Sequence, residues 1–204
     1  MYKHFFKRLF DLIIALFALP FVLLLILIMV PLIWLTDRGP TFYNAQRVGL
    51  NGKIFKMFKF RSMKVNAPDI RNTDGSTFNS SDDPRVTRIG RFIRKTSIDE
   101  IPQILNVLIG DMSFVGPRPD VPGYADKLEG ENRRMLLLKP GITGPASLKY
   151  RNEEELLAQQ EDPQKYNDEV LFPDKVRINI EYLDNWSFWN DVKIIIYTIL
   201  GKDL

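Results

Sequence analysis

The chain has 204 residues, 45% hydrophobic and 26% charged, with a formal charge of +3, which is enough for one domain with a real core. It contains no cysteine, which excludes a disulfide framework and a thiolate metal site, and its single histidine, His4, sits among membrane-flanking basic residues, a poor place for histidine-based catalysis. The small net charge conceals an asymmetry: residues 37–95 hold 13 Lys/Arg against 5 Asp/Glu, whereas residues 96–204 hold 12 against 19, so a basic first half, suited to anionic lipid or phosphate, precedes an acidic second half.

From Leu12 to Leu35 no side chain is charged. The run FDLIIALFALPFVLLLILIMVPLIWL is too long for the apolar part of a signal peptide and lacks a small-residue cleavage site. As a straight helix its 24 uncharged residues would measure ~36 Å, more than a ~30 Å hydrocarbon core. Length alone fits a span. Pro20 costs a helix interior roughly 3 kcal/mol, and Pro31 repeats the problem. Lys3, Lys7 and Arg8 precede the run; Arg38, Arg47, Lys53, Lys56, Lys59 and Arg61 follow it. Basic flanks favour the cytoplasmic side, so the preferred expectation is a re-entrant helix that bends near Pro20 and returns. A simple span stays open.

TFYNAQRVGLNGKIFKMFKF reads as a β-hairpin with a type I′ turn at Asn51-Gly52. Its lysines face headgroups, a phosphate or plain solvent. Residues 64–83 are polar and turn-rich, a lid or a passive linker. PRVTRIGRFIRK reads as a short basic amphipathic helix, with Pro84 in its first turn, Val86, Ile89 and Ile93 on one face, and Arg85, Arg88, Arg91 and Arg94 on the rest. The C-terminal YLDNWSFWNDVKIIIYTIL carries Trp186 and Trp189 and reads as an amphipathic helix docked at a bilayer surface or packed on the core.

The stretch TSIDEIPQILNVLIGDMSFVGPRP is the most informative. Ser97-Ile98-Asp99-Glu100 has the pattern of a capping box, followed by a stripe of Ile98, Ile101, Leu105 and Leu108. A purely structural role accounts for both carboxylates. The surroundings favour chemistry. Arg118 is held between Pro117 and Pro119 as a rigid phosphate clamp. KPGITGP, Lys139–Pro145, is a Gly/Pro loop whose N–H groups could cradle a phosphate. Lys59, Arg91 and Arg94 lie upstream. A carboxylate pair among such groups suits Mg²⁺ with a phosphate substrate.

KRLFD at 7–11, the apolar run, FKMFKFRSM at 55–63, RKTSIDEIPQILNVLIGDMSFVGPRP at 94–119 and KPGITG at 139–144 resemble the bacterial sugar transferases, and more narrowly the small monotopic phosphoglycosyltransferases. The resemblance implies transfer of a phosphosugar from a UDP-sugar to polyprenyl (undecaprenyl) phosphate, with release of UMP, as an early membrane step of glycan assembly. It implies Asp99 as nucleophile, Glu100 (with Asp99) as Mg²⁺ ligand, and Arg94 and Arg118 on substrate phosphate. Lys59 and Arg91 are further expected contacts. The chain departs from the family pattern at Leu19-Pro20, where many relatives have Ser-Pro, and after the Gly-Ile-Thr-Gly loop, where PASLKYRNEEELLAQQEDP offers Arg151 as a substrate contact.

The expected architecture is α+β and mainly helical: a monotopic membrane protein with residues 1–36 as a re-entrant helix and residues 37–204 as a catalytic domain with a small hairpin and interfacial helices. The expected location is the cytoplasmic face of a bacterial inner membrane, with membrane lipids as partners and no nucleic acid. A homo-oligomer stays open.

Overall fold

A computed structural model describes residues 2–68 and 83–202. The lid-or-linker segment falls largely outside the described residues. The first element, α1, is one helix, Tyr2–Asp37, with Pro20 and Pro31 inside it. Its Phe5–Asp37 stretch is long and apolar enough to cross a membrane. Phe17, Phe21, Leu24, Leu27 and Leu35 are exposed along it, whereas Ala15, Val22, Met29 and Ile33 are buried.

Both ends of α1 are tied to the rest of the chain. Near its start, Lys7 pairs with Asp191 at 2.7 Å, and Arg8 donates to the carbonyls of Val107 and Leu108. The carboxylate of Asp11 accepts from Ser113 Oγ and the Phe114 N–H. At its end, Asp37 forms a two-point ion pair with Arg61, a geometry that fixes orientation as well as distance. Met29 and Ile33 also pack with Phe60 and Ile93.

The expected hairpin is present. β1, Phe42–Val48, pairs antiparallel with β2, Ile54–Phe60. Asn51 and Gly52 both have positive φ, and Lys53 N–H bonds to Leu50 O at 3.1 Å, so they are the centre of a type I′ turn. Inside the hairpin, Ala45 and Met57 meet Ala15, Val107 and Met112 in one core cluster.

α2 runs from Arg88 to Lys95 and is capped by Thr87, whose side chain accepts from the Gly90 N–H. Pro84 therefore precedes the helix instead of opening it. Arg85 is buried against Asp83, so it is not part of a solvated basic face. α3, Gln103–Ile109, buries Gln103, Asn106 and Val107, whereas the expected stripe of Ile98, Ile101, Leu105 and Leu108 is only partly covered. Polar groups take the inner face because they have backbone work there. Asn106 accepts from the Phe58 N–H and donates to Lys56 O, both at 2.8 Å, satisfying edge groups of β2 that would otherwise be unpaired.

β3, Ser113–Val115, and β4, Gly141–Thr143, form a two-stranded parallel pair. The Gly/Pro loop is thus a strand. Gly116 N–H bonds to Thr143 O, and Gly141 N–H bonds to Pro117 O, so these groups are spent within the fold and do not cradle an anion. A Cβ on Gly116, Gly141 or Gly144 would overlap the facing backbone, which is why glycine stands at all three positions.

Short helices α4 (Pro145–Lys149), α5 (Glu153–Ala158) and α6 (Pro163–Tyr166) lead to α7, Phe172–Asp184, and α8, Phe188–Leu200. The C-terminal stretch is two helices because the chain breaks at Asn185–Ser187, where Ser187 caps α8. Trp186 packs inward with Tyr182 and Ile194, whereas Trp189, Ile199 and Leu200 are exposed. The two tryptophans therefore serve opposite sides of the helix pair.

Candidate active site

The residues between α2 and α3 place two carboxylates at one spot. Ser97 has φ 55 and makes no side-chain capping bond, so it is not the N-cap of a capping box. Its left-handed backbone turns the chain into a 3₁₀ turn, Ile98–Glu100, which leads through Pro102 into α3. A non-glycine residue in this conformation is uncommon and marks a constrained turn. Asp99 is buried, and Glu100 is half-buried beside it.

Cations from three other segments converge on this pair. Lys59, on β2, puts its Nζ 3.3 Å from Asp99 Oδ2 and 2.9 Å from Glu100 Oε1. Arg118 brings Nη2 to 3.4 Å from Glu100 Oε1 while 65% of its side chain stays exposed. Arg94 is held by a 2.9 Å bond from its Nε to Ser62 Oγ and acts on Asp99 through its charge. The buried Gln103 lies one turn after Glu100 and helps to hold its pKa down.

These surroundings separate the two acids. Burial raises the pKa of Asp99; Lys59 pulls against that without cancelling it. Burial works the same way on Glu100, but Arg118 and Lys59 outweigh it and hold the carboxyl below its ordinary value. Environments that push neighbouring pKa values apart assign different roles to them. The two neighbouring carboxyls are thus shifted in opposite directions, Asp99 up and Glu100 down.

The sequence matches the bacterial sugar transferases over residues 2–201. The chain belongs to the bacterial sugar transferase family. The galactosyl transferase CpsE of Streptococcus agalactiae is 42% identical over 170 residues, 80% of this chain and 34% of the relative. The sugar transferase EpsL of Bacillus subtilis is 39% identical over 193 residues, 95% of this chain and 85% of the relative. The undecaprenyl-phosphate galactose phosphotransferase of Salmonella typhimurium is 36% identical over 221 residues, 98% of this chain and 42% of the relative. The chain thus spans well under half the length of CpsE and of the Salmonella protein, and most of EpsL.

Not every residue singled out in this sugar transferase's sequence gathers at the acids. Asp99, Glu100, Lys59, Arg94 and Arg118 do. Arg91 is exposed on α2. Arg151 donates to the carbonyls of Tyr197 and Lys202 at the end of α8, where its bonds are those of a helix cap.

Three residues near the acids were not singled out as site candidates in the sequence. Gln103 lies one turn after Glu100, a spacing that brings side chains together. Arg47 shares a hairpin face with Tyr43 and Lys59 through the observed register; burial lowers its pKa, and Tyr43, Arg118, Asp120 and Glu100 are its charged or ionisable neighbours. Asp120 follows Arg118 by two positions, and burial pushes its carboxyl up to about 6. Strand alternation alone could have flagged Arg47; nothing local flags Asp120.

Proposed function

We propose that this bacterial sugar transferase moves a phosphosugar from a UDP-sugar to undecaprenyl phosphate, releasing UMP, by way of a covalent aspartyl intermediate. The observation that carries this reading is the meeting of Asp99 and Glu100 on one ammonium, 3.3 and 2.9 Å away, with Arg118 beside them. The name of the Salmonella relative, an undecaprenyl-phosphate galactose phosphotransferase, supports the same reaction class.

An Asp99 oxygen attacks the sugar-bearing phosphorus of the diphosphate. The new O–P bond forms as the bridging P–O bond breaks, and that electron pair leaves on UMP. An oxygen of the lipid phosphate then displaces Asp99, which regains its carboxylate, and polyprenyl-diphosphate sugar departs. Lys59, Arg94 and Arg118 offset the repulsion between an anionic nucleophile and an anionic diphosphate, the main electrostatic obstacle in such transfers. Two displacements in series let one small site serve two bulky anions in turn.

Asp99 and Glu100 also fit a Mg²⁺ ion. They already converge on a single positive charge, the Lys59 ammonium. Two carboxylates completed by water and substrate phosphate is the usual Mg²⁺ donor set. When bound, the ion supplies charge neutralisation at the diphosphate.

The same reading places residues 1–36 in a membrane as a re-entrant element and residues 37–204 on the cytoplasmic face of the bacterial inner membrane. Lys7 and Asp37, at the two ends of α1, both pair with the domain that carries Asp99. A straight span would put those ends on opposite sides of a bilayer.

Intact-mass analysis after exposure to UDP-galactose, UDP-glucose or UDP-N-acetylgalactosamine, with Mg²⁺ and no lipid acceptor, tests the proposal. A phosphosugar adduct on the wild type that is lost in Asp99→Asn supports it. Release of UDP instead of UMP, or full turnover by Asp99→Asn, rejects it.

A further inference from the structure

The antiparallel register sets Tyr43 directly opposite Lys59, the residue that holds the two carboxylates. Alternate side chains share a strand face, so Tyr43, Ala45 and Arg47 line the same side of the hairpin as Lys59. Next to Arg47, the Val48 N–H donates to the Asp120 carbonyl at 2.9 Å. That bond ties the end of β1 to the segment that carries Arg118. Arg47 is half-buried there, with Arg118, Asp120 and Glu100 among its charged neighbours.

Burial disfavours the charge of Arg47, and the guanidinium of Arg118 nearby adds repulsion. An anion held between the two relieves both costs. A guanidinium presents a fork of N–H donors that matches phosphate oxygens two at a time. Among the described residues, Arg118 spends one 3.4 Å contact on Glu100, and Arg47 one 3.4 Å bond on the Gln46 carbonyl. Both forks therefore keep donors for a ligand.

The cations of the site are divided. Arg94 acts on Asp99, whereas Arg118 and Arg47 act on Glu100. In-line displacement puts the leaving oxygen opposite the attacking Asp99 oxygen. UMP departs with the bridging oxygen and its electron pair. In the second displacement an oxygen of undecaprenyl phosphate bonds to the same phosphorus from the position that UMP has vacated. The electron pair of the bond between Asp99 and phosphorus returns to the carboxylate. One phosphate site therefore has to serve both partners in turn. We infer that Arg47, together with Arg118, forms that site and holds first the phosphate of the departing UMP and then that of undecaprenyl phosphate, an inference that rests on the phosphosugar-transfer reading above.

Calorimetric titration of the detergent-solubilised protein with UMP, alone and with excess undecaprenyl phosphate, tests the inference in wild type, Arg47→Gln and Arg47→Lys. Losing a hydrogen bond to a charged group weakens binding by roughly 10–100-fold. The expected result is a rise of that size in the Kd of UMP for Arg47→Gln, a smaller rise for Arg47→Lys, and displacement of UMP by the lipid phosphate in wild type. The KM for undecaprenyl phosphate, read from lipid-linked sugar formation, should rise together with the Kd of UMP. Partial misfolding lowers the number of titrating sites and leaves their affinity unchanged, so it does not mimic this result. An unchanged Kd for UMP in Arg47→Gln overturns the inference, as does UMP binding in wild type that the lipid phosphate leaves untouched. Wild-type protein that forms no lipid-linked sugar from UDP-galactose, UDP-glucose or UDP-N-acetylgalactosamine overturns the transfer reading, and this inference with it.

Discussion

Lys59 and Glu100 form a 2.9 Å ion pair across 41 positions of sequence, and the same ammonium reaches Asp99 at 3.3 Å. One side chain thus holds two carboxylates together and, with Arg118, keeps the nearer one ionised. Replacing it with methionine keeps much of the bulk and removes the charge. Lys59→Met is expected to lower kcat by roughly 10²–10³-fold, the range for removing one preorganised electrostatic contact. Because Lys59 lowers the pKa of Asp99, the acid limb of the rate profile should also move to higher pH. A UMP-release assay across pH reads both effects. An acid limb that stays in place contradicts this role for Lys59.

Gly90 lies directly on the backbone of Ser62, where a Cβ would overlap the carbonyl oxygen. The residue is helical, so in open solvent Gly90→Ala would be favourable. Here it must push α2 off the end of β2 and carry Arg94 away from Ser62. Overpacking of this kind costs about 1–3 kcal/mol. A lower midpoint in thermal unfolding of the detergent-solubilised protein is expected, together with lost activity. A variant as stable as wild type contradicts this packing.

Asp191 is fully buried and accepts from Lys7, Tyr182 and Trp186. Lys7→Ala leaves that carboxylate without its cation. Breaking a buried pair from one side costs about 3–5 kcal/mol. The start of α1 should loosen first, so hydrogen exchange at residues 5–12 is expected to rise more than exchange in the hairpin. Uniform protection in the variant counts against this tie.

Asp120 titrates near about 6 when folded, because burial disfavours its charge, against 3.8 for the ordinary group. Its favourable contribution to stability is complete below the lower value and disappears as pH rises through the upper one. Asp120→Asn carries no such dependence. Its stability relative to wild type should improve by on the order of 1–2 kcal/mol between about pH 4.5 and about pH 8, after allowance for solvent screening. Denaturant unfolding at the two pH values measures this; a constant difference removes the burial effect.

The elements set by local pattern were readable in advance. The long apolar helix follows from composition, the hairpin from Asn51-Gly52, and the pair Asp99-Glu100 from the family motif around it. What could not be read depends on partners distant in sequence. Asn106 looks like an ordinary polar helix residue until the edge of β2 supplies its bonds, and Gly141 looks like a loop until Gly116 lies against it. Ser97 fits a capping pattern by type and spacing, yet the turn needs its backbone left-handed, which takes its side chain out of the cap. Asp120 looks like an ordinary loop acid until burial, with Lys175 and Glu153 among its charged neighbours, shifts its carboxyl.

The tie between Lys7 and Asp191 joins positions 184 residues apart. At roughly 5–20 residues per second, a ribosome makes the second about 10–40 s after the first. Throughout that interval Lys7 lacks Asp191, the carboxylate with which it pairs. The greasy surface of α1 must be sheltered by lipid or by a chaperone before its own seat has been synthesised. Docking of α1 through Lys7 thus waits for α8, the helix that carries Asp191.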